Sequence, residues 1–118
     1  MENLAPDIVR QRLLIEGFYG IDIGRSAIER YFEELAVRLN LRTYATPTIF
    51  SPGEEGRPEN QGYDAFIPLI DSGISLYVWT AQQFLSIVIF TCKTFKTDDA
   101  VAFTDGFFRM SRSAHQAF

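Results

Sequence analysis

Between Phe84 and Cys92 the chain reads Phe-Leu-Ser-Ile-Val-Ile-Phe-Thr-Cys, an almost unbroken apolar run. It falls well short of the roughly 18 residues that would suggest a membrane span. Its length suits a strand covered on both faces. Just upstream, Ile74, Leu76 and Val78 alternate with Ser75, Tyr77 and Trp79, the two-residue period of a strand. Two adjacent segments of this kind demand a sheet, and the rest of the chain must supply its other strands and its cover.

Further strands are expected over Leu13 to Phe18, Thr43 to Phe50 and Tyr63 to Ile70, where Pro68 implies a bulge or an edge position. Ser51 to Asn60, with two Pro, two Gly and three Glu, reads as a mobile surface loop. Ile28, Phe32, Leu35 and Leu39 recur at helical spacing. Ser26 and Glu29 have the spacing of a capping box ahead of that helix, and Asn40 is a plausible end. A second helix opens at Thr97-Asp98-Asp99, with its acids at the positive end of the helix dipole. The order strand, helix, three or four strands, helix predicts an α/β two-layer sandwich (α+β). Its sheet is mainly antiparallel and four- to five-stranded, with both helices on one face. The 118 residues form a single domain, with 1–11 and 111–118 as flexible ends. The uncovered sheet face calls for a second subunit, so a homodimer is expected.

Charge and rare residues narrow the chemistry. A net charge of −4 disfavours a sequence-independent grip on nucleic acid. Met1 to Arg10 lacks the apolar stretch of a signal peptide, which points to the cytoplasm and away from a membrane. One cysteine, Cys92, excludes an internal disulfide and a cysteine-cluster metal site. The one histidine, His115, lies in a polar tail, so histidine-based catalysis and a metal centre are not expected. Chemistry must use Ser, Cys, Tyr, Asp or Glu, or a group made from them.

Taken singly, Asp71-Ser72-Gly73 is an ordinary turn, Cys92 an inert core thiol and Trp79 a packing residue. Their spacing taken together is more specific. Ser72-Gly73-Ile74-Ser75-Leu76-Tyr77-Val78-Trp79, followed by Ile89-Phe90-Thr91-Cys92, resembles the signature of the bacterial-type S-adenosylmethionine decarboxylases. Tyr19-Gly20 and Gln61-Gly62 also stand where that family has them. The resemblance runs over nearly all of Leu13 to Phe108.

The resemblance implies a self-cleaving decarboxylase of polyamine (spermidine) biosynthesis. Its serine attacks the carbonyl of the preceding residue, and the chain is cut to leave a pyruvoyl group on the new N-terminus. Carried over, the cut falls between Asp71 and Ser72. The pyruvoyl group derived from Ser72 would be the only cofactor, and Cys92 takes the place of the proton donor. Glu16, Tyr19 and Asp64 are candidates to bind the small-molecule amine substrate, S-adenosylmethionine in the first instance. Several positions depart from the family. Tyr77 replaces a histidine needed for processing, and Asp64 replaces a helper serine. Gly73 stands where the family has a histidine, and Ala81 where it has a glutamate. A tyrosine hydroxyl, with an ordinary pKa near 10, is a poor base at neutral pH. These changes weigh slightly against self-cleavage. They leave two alternatives: an uncut, inactive homologue that binds a ligand or pairs with an active relative, or a pyruvoyl decarboxylase of another amine such as ornithine or arginine.

Overall fold

The computed structural model describes residues 1–51 and 57–118, so part of the loop expected over Ser51 to Asn60 lies outside the described residues. The chain runs β1 (Gln11–Phe18), α1 (Arg25–Arg38), β2 (Thr48–Phe50), β3 (Gly62–Leu69), β4 (Ser72–Trp79), β5 (Phe84–Thr91), α2 (Thr97–Phe108) and β6 (Arg112–Ala117). The strands form one sheet in the order β2-β3-β4-β5-β1-β6, and every neighbouring pair is antiparallel. The expected class is therefore the one found, with one strand more than the sequence suggested.

Strand alternation divides the sheet into two faces. On one face Leu13, Ile15, Ile67, Leu69, Ile74, Leu76, Leu85, Ile87 and Ile89 are buried, packed with Ile28, Tyr31, Phe32 and Leu35 of α1 and Ala100 and Phe108 of α2. Each aliphatic or aromatic side chain so enclosed stabilises the fold by about 1.5–3 kcal/mol. The Tyr31 ring ties the two helices together. Its centroid lies 4.6 Å from that of Phe108 and 5.3 Å from that of Phe107, and its hydroxyl is 2.8 Å from Thr104 Oγ1. Neither α1 nor α2 packs on the opposite face. Phe66, Tyr77, Phe90 and Phe18 stand on it with 40–46 % of their surface exposed.

Three local expectations need correction. The capping box does not form: α1 begins at Arg25 after an extended Gly24, and no side chain caps it. Ser26 is already inside the first turn, so it cannot take the extended backbone that a capping side chain requires. The strand expected from Thr43 shrinks to Thr48–Phe50 and an isolated bridge between Thr43 and Leu69, because Pro47 in between has no N–H to give a ladder. The tail read as frayed forms β6, paired along β1 from Phe18–Arg112 to Leu13–Ala117. Gly17 makes that pairing possible. A Cβ there would lie 2.2 Å from the carbonyl oxygen of Arg112 and 2.8 Å from the Cα of Ser113.

Other expectations hold. Asn40 closes α1 at φ 58, with its N–H bonded to Val37 O and the next N–H, that of Leu41, to Ala36 O. That pair of bonds satisfies the end carbonyls of the helix. Pro68 sits on β3 beyond the end of the short β2, on a margin that only the 42–44 segment borders, and its carbonyl oxygen accepts the Tyr44 N–H at 3.5 Å.

Candidate active site at the β3–β4 turn

Ile70 and Asp71 form the turn between β3 and β4, and Leu69 pairs with Ser72 across it. Asp71 has φ 60, in the left-handed region that aspartate tolerates better than most residues. Ser72 therefore opens β4 directly after a sharp reversal, at the end of the sheet. On its other side β4 pairs with β5 in a register that sets Ser72 opposite Thr91.

Two hydrogen-bond groups follow from that register. The Ser72 hydroxyl donates to Thr91 Oγ1 at 2.7 Å, and the same oxygen accepts the N–H of Lys93 at 2.9 Å. Thr91 is fully buried, whereas Ser72 is half-buried. One step further along the ladder, the N–H of Cys92 donates to the carbonyl oxygen of Asp71 at 2.8 Å. The carbonyl preceding Ser72 is thus held by a backbone donor, while the hydroxyl following it is held by a buried acceptor. Cys92 itself is exposed at the end of β5, with a free thiol.

The structure brings Asp71, Ser72 and Cys92 together but not the other candidates. Tyr77 lies five residues along β4 from Ser72, about 17 Å at roughly 3.3 Å per residue, and on the opposite face. It is not near Ser72 of its own chain, because an odd separation in a strand reverses the face. Asp64 pairs with Tyr77, and Glu16 stands two strands away in the same row, next to Ser86. The row Asp64–Tyr77–Ser86–Glu16 runs straight across the uncovered face, where Ser86 donates its hydroxyl to Glu16 Oε2 at 3.0 Å. Tyr19 is buried still farther off, where β1 ends beside the β4–β5 turn, and its N–H bonds to Gln83 O. Desolvation raises the pKa of its hydroxyl. A hydrogen bond with Thr80 opposes that shift, and the charges of Asp22 and Tyr63 reinforce it.

Two residues escaped the sequence reading, Thr91 and Ser86. The signal for Thr91 was present: if the 80–83 turn closes a regular hairpin from Trp79 to Phe84, counting back pairs Ser72 with Thr91. Among the described residues no group of three His, Cys, Asp or Glu is placed to hold a metal ion, and no helix is long and apolar enough to cross a membrane. Two open depressions of about 410 and 420 Å³ lie by α1, one beside Val37 and Phe103 and the other beside Tyr44 and Pro47; neither includes Ser72.

No curated protein matches this sequence. Among solved structures, the chain is similar to the adenosylmethionine decarboxylase from Aquifex aeolicus VF5. The TM-score is 0.72 at 19 % identity, over 94 % of this chain and 89 % of that one. At that identity the likeness establishes the fold. Residues 22–118 match the family described as S-adenosylmethionine decarboxylase, a span that takes in the Asp71–Ser72 turn, the buried Thr91 and Cys92. The chain belongs to the S-adenosylmethionine decarboxylase family.

Proposed function

We propose that this protein is a pyruvoyl-dependent decarboxylase of the S-adenosylmethionine type, which cuts itself between Asp71 and Ser72. The observation that carries the reading is the Asp71 carbonyl, held at 2.8 Å by the Cys92 N–H immediately before a serine with an ordered hydroxyl. In the first step, Ser72 Oγ bonds to the carbonyl carbon of Asp71. The bond from that carbon to the Ser72 nitrogen breaks, and the hydroxyl proton ends on that nitrogen. Negative charge builds on the Asp71 oxygen during the attack, and the Cys92 N–H already points at it. A donor aimed at a developing oxyanion typically lowers a barrier by about 2.7–4 kcal/mol. Residue 72 thus fits the group that the family makes. A pyruvoyl carbonyl there would bind the substrate amine and accept the electrons released as CO₂ leaves. The Cys92 thiol, free and exposed just past the end of β5, is assigned the proton returned to the substrate carbon.

The Ser72 hydroxyl lies on the helix side of the sheet with the buried Thr91, whereas Tyr77, Asp64 and Glu16 stand on the uncovered face. A homodimer through the uncovered face would gather those two carboxylates from both copies, where they could meet a cationic substrate, but would not bring them to the Ser72 hydroxyl. The same separation of Tyr77 from Ser72 favours a second reading, an uncut homologue that binds an amine without chemistry.

Intact-mass measurement on purified protein separates the two. Pieces 1–71 and 72–118, with Ser72→Ala remaining whole, support the enzyme, as does CO₂ release from S-adenosylmethionine, ornithine or arginine. A single uncut mass with no CO₂ from any of the three overturns it.

A further inference from the structure

Ser72 Oγ has one proton to donate and lone pairs with which to attack, and the environment decides which end faces the Asp71 carbonyl. In the structure the proton is committed to Thr91 Oγ1 at 2.7 Å. The acceptor is itself fixed. Thr91 is fully buried in β5, its χ1 restricted by β-branching, and its oxygen is anchored a second time by the Lys93 N–H at 2.9 Å. With two donors on one hydroxyl oxygen, both of its acceptor positions are used. Thr91 therefore cannot swing away without leaving a backbone N–H unpaired.

We infer that Thr91 is the positioning residue for self-cleavage: it holds the Ser72 proton away from the scissile carbonyl and so leaves the lone pairs of Oγ free to attack. The inference rests on the reading that this chain cuts itself at Asp71–Ser72. Thr91 is not a base, since a neutral hydroxyl cannot keep the proton. Its part is to fix one rotamer of a nucleophile that otherwise samples three. The Cys92 N–H sets the electrophile and Thr91 sets the nucleophile. Because Thr91 and Cys92 are consecutive, one strand end places both. Misplacing a reacting atom by about 1 Å costs about 100-fold in rate.

The test uses the full-length chain and three proteins: wild type, Thr91→Val and Thr91→Ser. The appearance of pieces 1–71 and 72–118 is followed by intact mass, with thermal unfolding of the uncut material as the control for fold. The expected result is cleavage slowed about 100-fold or more in Thr91→Val and restored to within several-fold of wild type in Thr91→Ser, which regains the acceptor but not the methyl group. Hydroxylamine, which cuts esters, should release less of the 1–71 piece from Thr91→Val than from wild type, a readout that a loss of packing alone would not move. If wild type cleaves and Thr91→Val cleaves at the same rate, the assignment to Thr91 is wrong and the processing reading stands. If wild type does not cleave at all, both fall. Should Thr91→Val fail to fold, Thr91→Cys replaces it, because sulfur is only a weak acceptor. Cleavage of that variant at the Thr91→Ser rate would overturn the inference.

Discussion

Tyr31 is wholly enclosed between the helices and the sheet, and its hydroxyl depends on Thr104 for its hydrogen bond. Thr104→Val leaves that hydroxyl without its partner, and the expected cost is about 1–3 kcal/mol in urea unfolding. An unchanged midpoint would mean that Tyr31 finds another partner. Burial also raises the Tyr31 pKa above its ordinary 10.0, against the smaller opposing effect of the Thr104 bond. The folded chain then keeps a proton that the unfolded chain gives up. That contribution to stability is complete below the unfolded pKa of about 10 and is lost as the pH rises through the higher folded value. Unfolding free energy should therefore fall above about pH 10, and Tyr31→Phe should flatten the fall. Position 73 behaves differently. A Cβ on Gly73 would lie 2.9 Å from the Phe66 ring, so the ring occupies the place of a side chain after the serine. Ser72 and Cys92 stood out in the sequence as candidates because of their spacing, and the structure places the Cys92 N–H on the carbonyl that precedes Ser72. Thr91 went unnoticed because its contact with Ser72 follows only from the register of β4 and β5, which had to be counted back from the 80–83 turn.

Helix α1 and β4 were legible as elements because periodicity runs through each of them, and β5 because its apolar run is almost unbroken. Strand β6 was missed for a physical reason: all six of its residues are exposed, so it carries no alternation of apolar and polar side chains. It exists because β1 offers a free edge and because Gly17 lets the chain approach. Gly17→Ala should therefore release β6 selectively. Hydrogen exchange is the measurement, with faster exchange over 112–117 and little change in β4 and β5; uniform protection throughout would refute the role given to Gly17. The helix ends show the same contrast. Asn40 was readable because left-handed closure needs a residue that tolerates positive φ. The start of α1 was not, since no side chain caps it and its first residue, Arg25, instead donates to Ile49 O at 2.7 Å.

At the scale of the whole molecule, the uncovered sheet face is the largest departure from a self-sufficient monomer. It leaves Phe18, Phe66, Tyr77 and Phe90 partly exposed, apolar surface that water disfavours. If that face joins two copies, Val88→Asp, near the middle of it, should convert the protein to a monomer by sedimentation, with the fold unchanged by circular dichroism. A dimer that survives the charge would place the interface elsewhere. The strand order carries a further consequence for a chain cut before Ser72. The piece 1–71 would own β1, β2 and β3, and the piece 72–118 would own β4, β5 and β6, yet β1 lies between β5 and β6. The two pieces would be interleaved, as the fingers of two clasped hands are. Dilution alone would not part them, because parting requires strands to be stripped from both sides of β1. Once fully denatured, they could recover only by meeting again, so refolding would become dependent on concentration where that of the uncut monomer is not. The cut would turn a folding reaction into an assembly reaction, and what had been loop closure would become an encounter.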